Sequence, residues 1–393
     1  MAGTYDGGRG GRGLYPEIIE ARFHSRMNRF VALCEINDEI HLAHLPNPGR
    51  MWELLFPGRL LYIVPTKGKD KKTGFKIIGI ERDGVPVMLD THYSNTVAEA
   101  LIGRQCIPQL AGWQVLKREV PFGNSRFDLL LGRGDERFIL EIKSCTLFGN
   151  RLAMFPDAVT ERGRRHMLEL ARLAEQGYRV GVLFLVQWKR AEYFLPDYHT
   201  DLEFAKTFFG LHDTVQFMAM ALSWRQDFSV PDEVRPVTIP WELIGHEMRD
   251  GGCYIFVIRL PEEQTVSVGS KGGIVFKKGY YLYVGSAKCN LSKRLERHQR
   301  KRKRFHWHID YLRAYGEYHA AIAIRTAADL EHDLAEALST IADWQIPGFG
   351  CSDCQCTSHL FALQEDPLHL PEFIKLLQYF RMDRLEAELV EEM

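Results

Sequence analysis

Residues 126–144 read RFDLLLGRGDERFILEIKS, and the register of this stretch decides what the middle of the chain can be. Two apolar runs flank a polar Gly-Asp turn, a pattern that predicts a β-hairpin. Strand side chains alternate with period 2, so Ile139, Glu141 and Lys143 share one face while Phe138, Leu140 and Ile142 share the other. If Gly132 and Arg137 close a loop of residues 133–136, Asp128 falls across from Glu141. A loop one residue longer or shorter would move Asp128 to the Leu140 face. Two facing carboxylates with a lysine two residues on can hold a divalent cation and orient a water, as metal-dependent phosphodiester hydrolysis requires. The plainer reading is a hairpin with one solvated face, on which Glu141 and Lys143 are ordinary surface residues.

At 393 residues the chain is too long for a single ordinary core, so two or three domains are expected. Its 46% apolar and 26% charged residues are those of a globular protein. A formal net charge of −1 means that any nucleic-acid surface must be a local patch. The eight cysteines, with no signal peptide before them, point to a reduced cytoplasmic setting. No apolar run reaches about 18 residues, so no membrane span is expected.

Residues 1–14 are rich in Gly and Arg and are expected to be disordered. From 15 to 90, short strands separated by turns at Asn37-Asp38, Pro57-Gly58 and Lys72-Thr73-Gly74 suggest a small β-barrel. Its central loop, HLPNPGRM, carries Arg50. Residues 91–224 then read as an α/β unit. A helix over 91–106, with Val97, Ala98, Leu101 and Ile102 as its buried stripe, carries Glu99. A strand and the 126–144 hairpin follow, then a helix to about Gln176 and the apolar strand YRVGVLFLVQW. This last strand returns after a crossover helix and can lie parallel. The stretches DLEFAKTFFG and TVQFMAMALSW both read as helical. Three prolines mark 225–248 as an extended linker. A third unit, 249–365, has strands at GGCYIFVIRL, GYYLYVGSA and YHAAIAIR, with a basic helix, NLSKRLERHQRKRKR, after the second. The tail, 366–393, reads as an amphipathic helix.

Several ordered blocks carry a resemblance. Asn28-Arg29-Phe30, HLPNPGRM, DTHYSNTVAEALI, SRFDLLL, LEIKSCTL and FPDAVTERGRRHMLEL closely resemble the sugar fermentation stimulation protein (SfsA) family over residues 17–225. The resemblance implies an OB-like barrel followed by a PD-(D/E)xK nuclease-like mixed-sheet domain. It assigns Asp128, Glu141 and Lys143 to the nuclease signature and Glu99 to the acidic residue of the preceding helix, with Mg²⁺ or Mn²⁺ as cofactor. The third unit, 249–365, resembles the GIY-YIG nuclease superfamily. Here Gly252-Cys253-Tyr254 stands for the first element and Tyr283-Val284-Gly285 for the second. Arg294 stands for the helix arginine, and Glu331 for the metal-binding glutamate, with Asp333 and Glu336 as neighbouring alternatives. A long insertion between the two tyrosines departs from the compact pattern. The implied whole is a multidomain α+β and α/β chain.

The run Lys293, Arg297, Arg300, Lys301, Arg302, Lys303 and Arg304 lies beside aromatics, which suits phosphate contact with stacking, though such runs are usually solvated faces. Arg29 and Arg50 are the candidate nucleic-acid contacts of the barrel. His298 shares a helix face with Arg294 and is a candidate for the same site; packing is the expectation for His306 and His308. Cys351, Cys354, Cys356 and His359 have the residue types for zinc, against a plainer reading as thiols packing a loop. Three functions follow as expectations. The first is a metal-dependent nuclease acting on DNA, with RNA also admitted; the second, which the family resemblance implies, is a non-enzymatic DNA-binding regulator of sugar (maltose-type) metabolism genes. The third is a small-molecule or nucleotide binder. Intact carboxylates favour the first, because without a cation they would repel a phosphate backbone.

Overall fold

A computed structural model describes residues 13–66, 72–123, 125–351 and 354–391. The first twelve residues of the Gly/Arg-rich tail lie outside the described residues. The chain divides into two compact units: 1–148, 165–194 and 211–239 form the first, and 149–164, 195–210 and 240–393 the second.

The first unit opens with β1 (Ile19–Asn28), β2 (Val31–Ile36), β3 (Glu39–His44), β4 (Leu60–Pro65), β5 (Phe75–Arg82) and β6 (Val85–Met88). They run in the order β3-β2-β1-β4-β5-β6, and a parallel β3–β5 pairing closes the first five into a barrel. Asn37 and Asp38 take left-handed φ of 50° and 64° at the β2–β3 turn, a conformation that short polar side chains tolerate. The HLPNPGRM loop is held from two sides. Arg26 donates to the carbonyls of Gly49 and Arg50, and Asn47 donates to Thr146 Oγ1 at 3.2 Å.

Next come α1 (Ser94–Gly103), β7 (Gln114–Phe122), β8 (Ser125–Arg133) and β9 (Glu136–Cys145). The short strands β10 (Leu147–Phe148), β11 (Leu152–Phe155) and β13 (Tyr193–Pro196) accompany α2 (Glu161–Glu175), β12 (Arg179–Val186) and α3 (Leu202–Gly210). The chain then adds β14 (Gln216–Leu222) and β15 (Val234–Pro236). The central sheet has the order β15-β14-β12-β9-β8-β7, antiparallel from β7 to β9 and parallel from β9 through β12 to β14. The expected parallel return of β12 is present, with Val182 beside Glu141 and Phe184 beside Lys143. Val97, Ala98, Leu101 and Ile102 bury against Leu129, Leu140 and Leu183, so the stripe read from the α1 sequence is the packed one.

Two expectations are corrected here. TVQFMAMALSW does not form a helix: residues 216–222 are β14, paired in parallel with β12. Met and Ala favour a helix locally, but a short apolar run has no period that separates a buried helix from a buried strand. Residues 225–248 are not an extended linker either. Phe228 is fully buried and packs over Gly79, where a Cβ would lie 2.2 Å from its ring. Val234–Pro236 adds an antiparallel edge strand to β14, and α4 (Trp241–Glu247) is a helix of the second unit. Apolar residues between the prolines were available for burial, which an extended linker would have left in water.

The second unit continues with β16 (Gly252–Leu260), the hairpin β17 (Gln264–Ser267) and β18 (Gly273–Phe276), and β19 (Gly279–Ala287). Then come α5 (Leu291–Gln299), α6 (His308–Tyr315), β20 (Glu317–Arg325), α7 (Glu331–Ile341), β21 (Trp344–Gln345) and β22 (Leu360–Leu363). Its sheet is antiparallel, in the order β20-β16-β19-β22-β21. The basic helix is shorter than expected: α5 stops at Gln299 and Arg300 is extended, so residues 300–306 form a loop. The tail is α8 (Pro371–Gln378) and α9 (Leu385–Glu391), separated by a π turn at Tyr379–Asp383. No helix among the described residues is long and apolar enough to cross a membrane.

Candidate functional site

The β8–β9 hairpin turns at Gly134-Asp135, one pair tighter than the loop drawn from sequence, with Arg133 paired to Glu136 and Gly132 to Arg137. Gly134 takes φ +57°, the left-handed value that a two-residue hairpin turn asks of its first central residue. The register is the expected one and brings Leu129 opposite Leu140. The ladder ends there. Asp128 lies one step beyond, and its carboxylate enters the gap where the strands part instead of sitting as a plain cross-strand pair. Its Oδ2 accepts the Ile142 N–H at 2.7 Å, and its Oδ1 accepts Asn95 Nδ2 at 2.9 Å from the first turn of α1.

Glu141 is almost wholly buried. Its Oε1 accepts from Lys143 Nζ at 2.6 Å and from His166 Nδ1 of α2 at 2.8 Å. Its Oε2 is buried with no hydrogen-bond partner among the described residues. An unmatched buried carboxylate oxygen is costly unless something charged meets it. Burial pushes the Asp128 carboxyl up to about 6, and the Glu141 charge adds to this; the Ile142 and Asn95 donors only partly oppose it. Burial would push Glu141 up as well, but the hydrogen bonds from His166 and Lys143 outweigh it and hold this group below its ordinary value. The pair therefore has one carboxylate kept ionised and one reluctant to ionise. Hard oxygen donors with one oxygen unspent fit a divalent cation.

Glu99 is placed differently. It pairs with Arg118 of β7, and among the described residues Glu99, Asp128 and Glu141 do not bring three oxygens within 4.8 Å of one another. Asn95 and His166 were not singled out from sequence. Nothing in the sequence marks the reach of Asn95 to Asp128. For His166 a signal existed: it shares a helix stripe with Leu170 and Leu173, where a solvated imidazole has no reason to be.

In the second unit, Tyr254 and Gly285 are cross-strand neighbours on β16 and β19. A Cβ at Gly285 would meet the Tyr254 hydroxyl at 2.5 Å, so this position must be glycine for the tyrosine to lie flat over it. Tyr254 Oη is 2.9 Å from His298 Nε2 of α5, and the Tyr283 ring lies 6.3 Å from that of Tyr254. Burial, reinforced by Tyr283, raises the Tyr254 pKa well above its ordinary value, so the phenol keeps its proton at neutral pH. Burial likewise lowers the His298 pKa. Arg294 donates to the Ser286 carbonyl and stacks 5.1 Å from the Trp307 ring. Of the three acids on α7, Glu331 is the one that reaches β19: Ser286 Oγ donates to its Oε2, while Asp333 and Glu336 are exposed.

The basic run is divided by one buried acid. Asp310 accepts from Arg297 at 3.0 Å, Lys303 at 2.8 Å and the His306 N–H at 2.9 Å. Arg297 and Lys303 are thus committed to the fold. Arg300, Arg302 and Arg304 are exposed and line a cavity of about 690 Å³ with Phe305, His306 and the Asp310-bound Arg297 and Lys303. Lys293 and Lys301 are exposed outside that lining, as is Arg29 on the barrel; Arg50 stacks 4.9 Å from Trp52. Cys354, Cys356 and His359 come together, and the fourth member of their group is His332 of α7 in place of Cys351.

Residues 25–89 match the SfsA N-terminal OB domain and 92–228 the sugar fermentation stimulation protein RE domain. Residues 253–382 match a domain of unknown function, DUF123. A sugar fermentation stimulation protein homolog of Methanothermobacter thermautotrophicus is 38% identical over 195 residues, which is 50% of this chain and 81% of that protein. A homolog from Natranaerobius thermophilus is 40% identical over 193 residues, 48% of this chain and 80% of that protein. The structure of Pyrococcus furiosus SfsA in complex with Ca²⁺ aligns with a TM-score of 0.52 at 29% identity, over 58% of this chain and 98% of that one. With an OB barrel and the RE domain in order and most of each relative's length covered, the chain belongs to the sugar fermentation stimulation protein family and carries a DUF123 domain behind it.

Proposed function

We propose that this chain is a divalent-metal-dependent phosphodiesterase acting on nucleic acid, with DNA as its first substrate class. One observation carries the reading: the buried, unpartnered Oε2 of Glu141, next to an Asp128 carboxyl that burial makes reluctant to ionise alone. Asp128 and Glu141 would hold the cation, and Glu99 could join them only by leaving Arg118. A bound Mg²⁺ or Mn²⁺ supplies Lewis-acid charge toward a phosphoryl oxygen. Ca²⁺ in the Pyrococcus furiosus relative agrees with a cation of this class.

The chain's own residues do the rest. His166 and Lys143 both bind Glu141 Oε1, which fixes the carboxylate and leaves the buried Oε2 available as a ligand. Lys143 keeps a partly exposed ammonium on Oε1 of the same carboxylate, where it can orient a water and meet charge developing on phosphate. Asn95 and the Ile142 N–H hold Asp128 in its rotamer. In the second unit, Tyr254, His298, Tyr283, Arg294 and Glu331 form a second candidate phosphodiester site, in which the protonated Tyr254 orients and does not abstract a proton. The arginine-lined cavity supports a phosphate-bearing ligand for that unit.

The test incubates the full chain with linear, nicked and branched DNA and with RNA, in Mg²⁺, Mn²⁺ or chelator, beside Lys143→Ala and Tyr254→Phe. Metal-dependent cleavage lost in Lys143→Ala is the expected result. Binding without cleavage in any metal would favour the non-enzymatic regulator. Cleavage that survives both substitutions would remove these site assignments.

A further inference from the structure

The helix α7 starts at Glu331, and its second residue, His332, meets the loop that leads from β21 back to β22. His332 Nδ1 lies 3.2 Å from Cys356 Sγ, and His359 Nε2 lies 3.5 Å from Cys354 Sγ. One ligand atom from each of these four residues lies within 4.8 Å of all the others. A tetrahedral zinc, with bonds of about 2.3 Å to sulfur and about 2.0 Å to nitrogen, sets neighbouring S and N ligands about 3.5 Å apart. The two separations are close to two edges of such a tetrahedron.

The loop has reason to need the ion. Gly348 and Gly350 take φ of +68° and +76°, and the loop is tied at its base by Gly348 N–H to the Thr357 carbonyl and His359 N–H to the Phe349 carbonyl. Beyond this base, Cys354 and Cys356 are partly exposed and His332 is exposed, so burial alone does not explain why four soft donors converge. Thiols that only packed a loop would be buried, as Cys34, Cys145 and Cys253 are.

We infer that His332, Cys354, Cys356 and His359 hold one Zn²⁺ that fastens the 346–359 loop to the first turn of α7. Two thiolates and two imidazoles close the coordination sphere, so the site is structural and leaves no position for a reacting water. His359 would bind the ion through Nε2, while its Nδ1 lies 3.0 Å from Glu331 Oε1, the side from which a carboxylate orients a ligating histidine. Zinc therefore sets the position of Glu331, a positioning role for a residue beside Tyr254 and Ser286. Cys351 is not one of the ligands.

The experiment uses the full chain, expressed and purified without added zinc, with metal content read by mass spectrometry. About one zinc per chain is expected, lost in His332→Ala and in Cys356→Ser, and retained in Cys351→Ser and Asp128→Asn. Because a ligand variant could misfold, the wild type is also stripped and titrated with Co²⁺. Tetrahedral d–d bands with a thiolate charge-transfer band are expected, abolished by stoichiometric Zn²⁺. A zinc-free wild type without those bands overturns the proposal. So does zinc that persists in His332→Ala or disappears in Cys351→Ser.

Discussion

Replacing Asp128 by asparagine removes a charge while keeping the shape and most of the hydrogen-bonding capacity of the side chain. The Ile142 N–H can still donate to its carbonyl oxygen, and Asn95 can turn its own carbonyl toward the new amide. In the wild type, burial and the Glu141 charge lift the Asp128 carboxyl from 3.8 to about 6. At about 1.36 kcal/mol per pKa unit, keeping this group ionised at pH 8 costs the folded metal-free protein up to about 3 kcal/mol. The sign follows from linkage. The folded value lies above the unfolded one, so the cost is complete above about pH 6 and fades as pH falls toward 4. At pH 5 roughly half of it remains. Asp128→Asn in chelator is therefore expected to be the more stable protein at pH 8, by about 1–3 kcal/mol, with a gap that narrows by pH 5.

A chain with two compact units need not unfold in one step, so the assay should be local. Hydrogen exchange on peptides covering β8 and β9, converted to opening free energies, reads the effect where it arises. Adding Mn²⁺ should raise protection in the wild type and leave Asp128→Asn unchanged, reversing the order of stability. A variant no better protected than wild type at pH 8, with no change in the gap on acidification, would refute the electrostatic account of this site. Equal protection by Mn²⁺ in both proteins would remove Asp128 as a ligand.

Three further outcomes are expected. His166→Ala should weaken Mn²⁺ binding about 10–100-fold by calorimetric titration, because Glu141 loses the donor that fixes its orientation. Asp310→Ala should cost the second unit about 3–5 kcal/mol in denaturation, since it strands Arg297 and the nearly buried Lys303 without their anion. Hydrogen bonds from His298, Lys303 and Arg297 offset burial and hold Asp310 far below the usual carboxylate range; the stability it adds is present at neutral pH and is lost only in strong acid. Arg300→Ala and Arg302→Ala should each reduce the slope of log K against log salt by about 1 in DNA titrations, whereas Arg297→Ala should act mainly through stability.

Much of the first site was legible because its information is local. A Gly-Asp turn sets the hairpin length, length sets parity, and parity brings Asp128 alongside Glu141. The α1 stripe was readable for the same reason, since a helical period is written in residues three and four apart. Parity does not fix where the strands part: the β8–β9 pairing ends at Leu129–Leu140, and Asp128 beyond it accepts the Ile142 N–H. No sequence pattern marks where a ladder stops.

The segments that went astray share one cause. Residues 216–222 became a strand because β12 offered a parallel edge, and residues 228–237 became part of the core because apolar side chains found partners there. Both outcomes depend on neighbours more than thirty residues away or on another layer of the fold, where local propensity has little weight. His332 is illegible for the same reason: the zinc-type residues 351–359 form one run, and the fourth donor comes from a helix that starts before β21.

By itself, the sequence determined the order of barrel, mixed-sheet unit and third unit, the hairpin register, and the choice of Asp128, Glu141, Lys143, Tyr254 and Tyr283 as candidate site residues. Tertiary structure alone decided which oxygen of Glu141 is left unspent, that Glu99 answers to Arg118, that Asp310 divides the basic run, and that His332 completes the thiol cluster. The physical reason is the range of the interactions. Periodicity and turn chemistry act over a few residues, whereas burial, charge pairing and metal-type geometry depend on distances that only the folded chain creates.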